Sequence, residues 1–332
     1  MRREADTDTQ GAPRGTRLCS VVSKAAGDDP AGSGGPFGGF LAVEVPQPWK
    51  RDVTESVRFP DGLRDALEGL QDAGVVDKFT GLLPDPDHSR EGHARVLFWR
   101  RPGKGPFAAY ERHEYLVLKK DLAALVRALA EPRDLARFGA HREESPGVRD
   151  VLVCTHGGRD VCCGKFGYAV YNFLRSRHAE PGRLRVWRTS HIGGHRFAPT
   201  LLELPEGRYW GHLELGAAGE LVTRRAHPST LARFYRGWAG FGSHFEQIAE
   251  RGILAREGWG WSEYAKEGKL LRADGDGRRA EVRIAYRTPG GVAGAYEALV
   301  EASGSVMTLA SSGADPLQEV DQYRVVRLEK AP

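Results

Sequence analysis

Residues 151–174 read VLVCTHGGRDVCCGKFGYAVYNFL. The stretch opens as a β-prone apolar run, so DVLVCT at 150–155 is predicted to be a buried strand. Gly157 and Gly158 then break the run. Across 165–177, Phe166, Ala169, Val170, Phe173 and Leu174 follow the i, i+3, i+4, i+7, i+8 rule of an apolar helical stripe. The next apolar run, LRVWRTS at 184–190, is a second strand. Strand, helix, strand in that order implies a right-handed crossover with the two strands parallel. TLLELPEGRYWGHLEL at 200–215 reads as a hairpin turning at Pro205-Glu206-Gly207. PSTLARFYRGWAGF at 228–241 reads as a helix with Pro228 in its first turn.

A similar order precedes it. After a Gly-, Ser-, Asp- and Pro-rich stretch at 20–39, expected to be loop, FLAVEVPQPW at 40–49 is a strand candidate. LRDALEGLQDAG is a short helix with Leu63, Leu67 and Leu70 on one face and Gly74 as its stop. ARVLFWRR and AAYERHEYLVLK are strands, and DLAALVRALA is a helix predicted to be capped by Asp121. Both halves therefore read as β-α-β-β-β-α or a close relative. The expected fold class is α/β: a thioredoxin-like mixed sheet flanked by helices, in two such domains. After about residue 246, AEVRIAYR, AYEALVEAS and YRVVRLEK predict a small β-rich C-terminal region without a catalytic motif. The expected division is a tail over 1–17, α/β domains over 18–145 and 146–245, and the β-rich region over 246–332.

Composition narrows the function classes. The chain is 332 residues long with a net charge of +4 and dispersed basic residues, which argues against nucleic-acid binding. No apolar run approaches the roughly 20 residues a membrane span needs. The opening MRREADTDTQGAPRG is charged and lacks an apolar core, so it is read as a disordered tail and not a secretory signal. A cytoplasmic location is the expectation. There, the four cysteines (Cys19, Cys154, Cys162 and Cys163) are not expected to form a disulfide framework.

Three of those cysteines fall within ten positions, on the loop that leaves the strand at 150–155. Downstream, WRTSHIGGHRFAP at 187–199 carries His191 and His195 around Gly193 and Gly194. Two adjacent glycines would cost a helix roughly 2 kcal/mol relative to alanine, so HIGGH is expected to be a loop leaving the second strand. Ligand sites in open α/β sheets lie beyond the C-terminal strand ends, and both loops fall there. Two thiolates and two imidazoles are thus brought to one sheet edge. Zinc is one reading of such a set. The eight residues between Cys154 and Cys163 exceed the usual spacing of a structural zinc pair and also suit a larger object, a [2Fe–2S] cluster.

CTHGGRDVCCG (154–164) and WRTSHIGGHRFAPTLLELPEGRYWG (187–211) resemble the hallmarks of the sucrase/ferredoxin-like family. CSVVSKAAGDDPAGS and VEVPQPWKRD resemble the start of its bacterial members, so the resemblance runs over roughly 18–245. The family includes thioredoxin-like [2Fe–2S] ferredoxins with two cysteine and two histidine ligands. The resemblance implies Cys154, Cys163 (followed by Gly164), His191 and His195 as ligands, with Cys162 a neighbour. It implies an electron carrier rather than an enzyme. The sucrase part of the label finds no pair of carboxylates in these motifs to act as glycosidase acid and nucleophile.

With two neutral imidazoles, an oxidised cluster would carry no net charge, against −2 for four cysteines, so its potential is expected to lie above that of plant-type ferredoxins. Reduction should raise the pKa of a ligand imidazole, which predicts proton-coupled electron transfer at His191 or His195. Arg159, Lys165, Arg188 and Arg196 are candidates to favour the anionic state and to steer an acidic redox partner, for example a flavoprotein reductase. Gly157, Gly158, Gly193 and Gly194 would permit close backbone approach to the sulfides. His156 and His212 are read as satisfied core or surface histidines, and Trp187, Trp210 and Trp238 as core. Cys19 is read as an inert buried thiol.

Overall fold

The structure is a computed structural model that describes residues 15–331; most of the predicted tail over 1–17 lies outside the described residues. The N-terminal helix α1 (Cys19–Ala25) precedes an α/β unit. In that unit β1 (Gly39–Glu44), α2 (Leu63–Asp72), β2 (Lys78–Leu82), β3 (His93–Arg100) and β4 (Glu111–Leu118) are followed by α3 (Leu122–Ala128) and a turn of helix, α4 (Pro132–Leu135). β1 and β2 are parallel, and β3 and β4 add antiparallel beyond β1. The second unit repeats the plan with β5 (Arg149–Cys154), α5 (Tyr168–Arg177), β6 (Leu184–Thr189), β7 (Leu201–Leu204) and β8 (Arg208–Trp210). Helices α6 (Leu215–Thr223) and α7 (Pro228–Leu231) lead to β9 (Tyr235–Trp238). Again the first two strands are parallel and the next is antiparallel. Each unit has the strand order of a thioredoxin-like sheet.

The two sheets join edge to edge into one of nine strands, ordered β4-β3-β1-β2-β6-β5-β7-β8-β9. The joint is narrow. Leu82 pairs with Thr189, and the Ser190 hydroxyl accepts from Gly81 N and contacts the Thr80 hydroxyl at 2.9 Å. Packing does the rest. Strand β1 is buried at every position because both faces are covered. Phe40 and Ala42, with Leu97 and Trp99 of β3, face a core shared with Val151, Val153, Trp187 and Leu202. The alternate residues Leu41, Val43, Val96 and Phe98 face Leu63, Leu67, Leu70, Leu122 and Leu125 of α2 and α3. The period-2 alternation of a strand thus feeds two cores at once.

Helix α8 (His244–Glu257) connects to a four-stranded antiparallel sheet, β10 (Ala265–Ala273), β11 (Arg279–Arg287), β12 (Ala293–Thr308) and β13 (Gln318–Ala331). Its start is a capping box: Ser243 accepts from Glu246 N while the Glu246 carboxylate accepts from Ser243 N. Such a cap contributes about 1 kcal/mol. Ile248, Ala249, Ile253 and Leu254 of α8 are buried in the same core as Val282, Ile284, Val300 and Leu328, so the C-terminal sheet packs onto the body.

The mixed α/β class, the hairpin at 205–207 and the β-rich C-terminal region are as the sequence implied. Several local expectations are overturned. The stretch at 20–39 is not all loop, since α1 runs to Ala25, held by burial of Cys19, Ser20 and Ser23 rather than by helix propensity. Asp121 sits at the start of α3 without a side-chain capping bond, because a 3-10 turn at 119–121 leads into the helix. The helix expected over 228–241 stops at Leu231. Tyr235–Trp238 pairs with β8 instead, a tertiary contact overriding the local pattern. Strands β2 and β10 and helix α8 had no sequence assignment.

An ion cluster lies at the end of β6 away from the candidate site. Arg185 donates to Asp150 at 2.7 Å and to Glu114 at 2.7 and 3.0 Å. Arg112 and Trp187 also bond Asp150, and Arg95 bonds Glu114. Burial would raise Glu114, but Arg185 and Arg95 hold it below the ordinary carboxylate value. Arg185 hydrogen-bonds both buried acids, one from each unit, and Arg112 reaches both as well, at 2.9 Å from Asp150 and 3.9 Å from Glu114. Arg185→Met should lower unfolding stability by about 3–5 kcal/mol by leaving buried charge uncompensated. Urea unfolding followed by tryptophan fluorescence reads this; an unchanged midpoint would mean that Arg95 and Arg112 suffice.

Candidate functional site

Strand β5 delivers Cys154 to its C-terminal end, where it pairs with Thr189 of β6. The two loops that leave these parallel strands are therefore neighbours. On the first, Asp160 ends the turn, and its carboxylate accepts from Cys162 N at 2.9 Å. Cys163–Gly167 winds as a π-type turn before α5. That turn lies against the strand end: a Cβ at Gly167 would fall 1.9 Å from the Cys154 carbonyl oxygen, so only glycine fits. The second loop runs from Ser190 to Phe197. Gly193 and Gly194 take φ of 91° and 75°, the left-handed region that turns His195 back beside His191. Arg236 of β9 secures it, donating to Gly193 O at 3.1 Å and to Ser33 O at 2.6 Å.

Two groups of donor atoms result. Cys154 Sγ, Cys163 Sγ and a His191 ring nitrogen all lie within 4.8 Å of one another. Cys154 Sγ is 3.9 Å from His191 Nδ1. The His195 ring stands beside His191, centroids 5.4 Å apart, but its Nδ1 faces elsewhere. It lies 3.5 Å from Asp160 and 3.6 Å from Cys19 Sγ. Cys19, Asp160 and His195 are thus a second group that adjoins the first. All four cysteines are wholly buried, whereas the His191 and His195 rings are half-buried at the surface. Ala198 and Leu309 close the sulfur side.

The charges follow from this packing. The Cys163 thiol hydrogen-bonds Cys154 and, against burial and with His191 adding to it, holds the Cys154 thiol below its ordinary value. Cys163 moves up correspondingly. In the neighbouring pair the hydrogen bond from Cys19 pushes Cys162 down to about 6, and Cys19 moves up. Burial works against the Asp160 carboxylate, yet the Ser312 and Cys162 backbone N–H groups and the Ser312 hydroxyl keep it below its usual value. Burial lowers His195, with Asp160 pulling the other way.

The surrounding residues are sorted differently from the sequence expectation. His156 is buried and bonded through both nitrogens. Its Nε2–H donates to Lys50 O at 2.8 Å, so Nδ1 accepts from His191 N at 3.2 Å, fixing the backbone at His191. Arg196 is bound by Asp28 at 2.9 Å, and Arg188 lies over the Tyr168 and Tyr171 rings. Lys165 is exposed and Arg159 is half-buried at the rim. Gly157 and Gly158 are exposed on the first loop, and a Cβ at Gly164 would meet Gly157 at 2.9 Å. His212 is buried behind the second loop, and burial pushes it down to about 4.

Four neighbours escaped the sequence reading. Asp160 had a usable signal, a helix-capping residue just ahead of an apolar stripe. Cys19, Ser312 and Arg236 had none, because they arrive from α1, the β12–β13 connection and β9. Arg236 is buried, and no carboxylate among the described residues lies within 4 Å of its guanidinium. Burial drops it to about 10.

Against known protein families, a model described as Sucrase/ferredoxin-like matches residues 30–237. That stretch contains both loops and Arg236 and leaves out Cys19 and Ser312. No curated protein and no solved structure matches the chain.

The Arg236 fork predicts a measurable loop effect. Arg236→Lys keeps the charge but cannot hold Gly193 O and Ser33 O together. Losing a charged hydrogen bond of about 1.5–3 kcal/mol should speed amide exchange across 191–197 roughly tenfold or more. Hydrogen-exchange mass spectrometry checks it; unchanged protection there would show that the glycine conformations alone hold the loop.

Proposed function

The chain belongs to the sucrase/ferredoxin-like family, and from that premise we propose that Cys154, Cys163, His191 and His195 hold a [2Fe–2S] cluster and that the protein passes single electrons. The observation carrying this reading is the meeting of Cys154, Cys163 and His191 within 4.8 Å, with the His195 ring adjoining. The donor set fits the group: two thiolates and two imidazoles, as ligand types, match a mixed-ligand [2Fe–2S] site. When bound, the cluster supplies a one-electron couple. The chain does the rest. The buried thiols keep the sulfur side dry, and the half-buried histidines form the edge nearest solvent. Asp160 faces His195 Nδ1 and holds a proton there, leaving Nε2 for the metal. His156 orients His191 through its backbone. The unpaired Arg236 cation favours the state with the extra electron. Arg159 and Lys165 at the rim suit an acidic partner such as a flavoprotein reductase.

A single zinc ion is the second reading, favoured by the compactness of the Cys154, Cys163 and His191 group. One sample decides between them: anaerobically purified protein, assayed for iron, sulfide and zinc, with a visible spectrum before and after dithionite. Two irons per chain and a band that bleaches are expected. A colourless protein with one zinc would end the electron-transfer reading.

Two further outcomes follow if iron is found. His195→Cys adds a negative ligand, so the midpoint potential should fall by on the order of 100 mV or more. In the wild type, the reduced site carries one more negative charge and holds the His195 proton more tightly. Raising the pH should therefore lower the potential, with a limiting slope of about 59 mV per unit for one electron and one proton. A potential that is flat with pH in protein-film voltammetry would remove the proton from the proposal.

A further inference from the structure

Cys19 and Cys162 are outside the proposed ligand set, yet their sulfurs meet at 3.7 Å. One comes from α1, the other from the loop after β5, and neither is exposed. Both share one hydroxyl. Ser312 Oγ lies 3.2 Å from Cys162 Sγ and 3.5 Å from Cys19 Sγ. Ser312 is itself fixed, because its N–H and hydroxyl both donate to Asp160, at 2.9 and 2.8 Å. Two buried thiols in contact, held by three separate parts of the chain, call for a chemical account beyond packing.

We propose that Cys19 and Cys162 form a second redox centre, a dithiol that hydrogen peroxide closes to a disulfide. The geometry is close to what closure needs: a bond of about 2.05 Å requires each sulfur to move roughly 0.8 Å from the 3.7 Å contact. Burial selects the oxidant. A glutathione-sized disulfide cannot reach sulfurs that are fully covered, whereas peroxide, close to water in size, needs only small movements of the covering side chains to enter. Cys162 is the attacking sulfur, since the Cys19 thiol is placed to donate to it. It attacks one peroxide oxygen, the O–O bond breaks, and water leaves, giving a sulfenic acid at Cys162. The Cys19 sulfur then attacks the Cys162 sulfur, and the S–O bond breaks. The departing hydroxide takes up the Cys19 proton, for which Asp160, 3.6 Å from Cys19 Sγ, is a relay. In sum, two thiols and one peroxide give one disulfide and two waters. The sulfurs lose two electrons and the peroxide gains them. The bond would staple α1 to the loop that carries Cys163.

The test uses the full chain. Protein is treated with a small excess of hydrogen peroxide, quenched with catalase, denatured in N-ethylmaleimide and digested with trypsin without reduction. The expected product joins LCSVVSK (18–24) to DVCCGK (160–165) and is released by dithiothreitol. Cys19→Ser and Cys162→Ser should lose it, whereas Cys163→Ser should keep it, which places the bond at Cys162. Cys154→Ala removes a cluster ligand and should also keep it, so this proposal and the cluster reading fail separately. Recovery of Cys19 and Cys162 as alkylated thiols would overturn the proposal. So would a bond within Cys154, Cys162 and Cys163, sulfinic acid at Cys162, or thiols protected by bound zinc.

Discussion

The site depends on one buried carboxylate. Asp160 closes the turn after β5 by accepting Cys162 N, a donor that the start of a helix otherwise leaves without a partner. The same group accepts both donors of Ser312, and so draws the β12–β13 connection onto the loop. It also faces Cys19 and His195. Four segments far apart in sequence therefore converge on one residue. Each bond it accepts offsets the cost of burying its charge, and without it Cys162 N and Ser312 N would be donors lacking an acceptor in a covered region.

The sheet supplies the coarse placement. Because β5 and β6 are parallel and in register with Cys154 opposite Thr189, the cysteine loop and the histidine loop must leave the same edge side by side. Strand β9 adds Arg236 from behind the histidine loop, and α1 packs across it. The C-terminal sheet, which carries no motif of its own, completes the enclosure through Leu309 and Ser312.

How much of this could be read in advance divides along the range of the interactions. The periodicities at 150–190 gave the parallel β-α-β unit, and Pro205-Glu206-Gly207 gave the hairpin, because those signals are local. Tyr235–Trp238 was misread as helix because its partner, β8, decides its state. Helix α1 was hidden because Cys19, Ser20 and Ser23 gain their stability from burial against distant chain. In the candidate site the four motif residues were nameable from spacing and resemblance. The contacts of Cys19 were not, since its neighbours Cys162, Asp160, His195 and Ser312 are all more than a hundred positions away. Reading it as an inert thiol followed the usual fate of buried cysteine.

The two faces of the site are unequal, and that inequality constrains how it can work. On the inner face the cysteines, Ala198 and Leu309 exclude water, so charges there are felt strongly. Two fixed charges beside the loops oppose each other. Asp160 is negative and fully hydrogen-bonded, while Arg236 is positive, buried and without a carboxylate partner among the described residues. A further negative charge placed between them is stabilised by Arg236 and compensated at Asp160 only by a proton on His195 Nδ1. On the outer face the half-buried imidazoles are the part of the donor set nearest solvent. If His195 holds the proposed cluster through Nε2, electron movement through that face and proton movement on the Asp160 side would use opposite nitrogens of one ring.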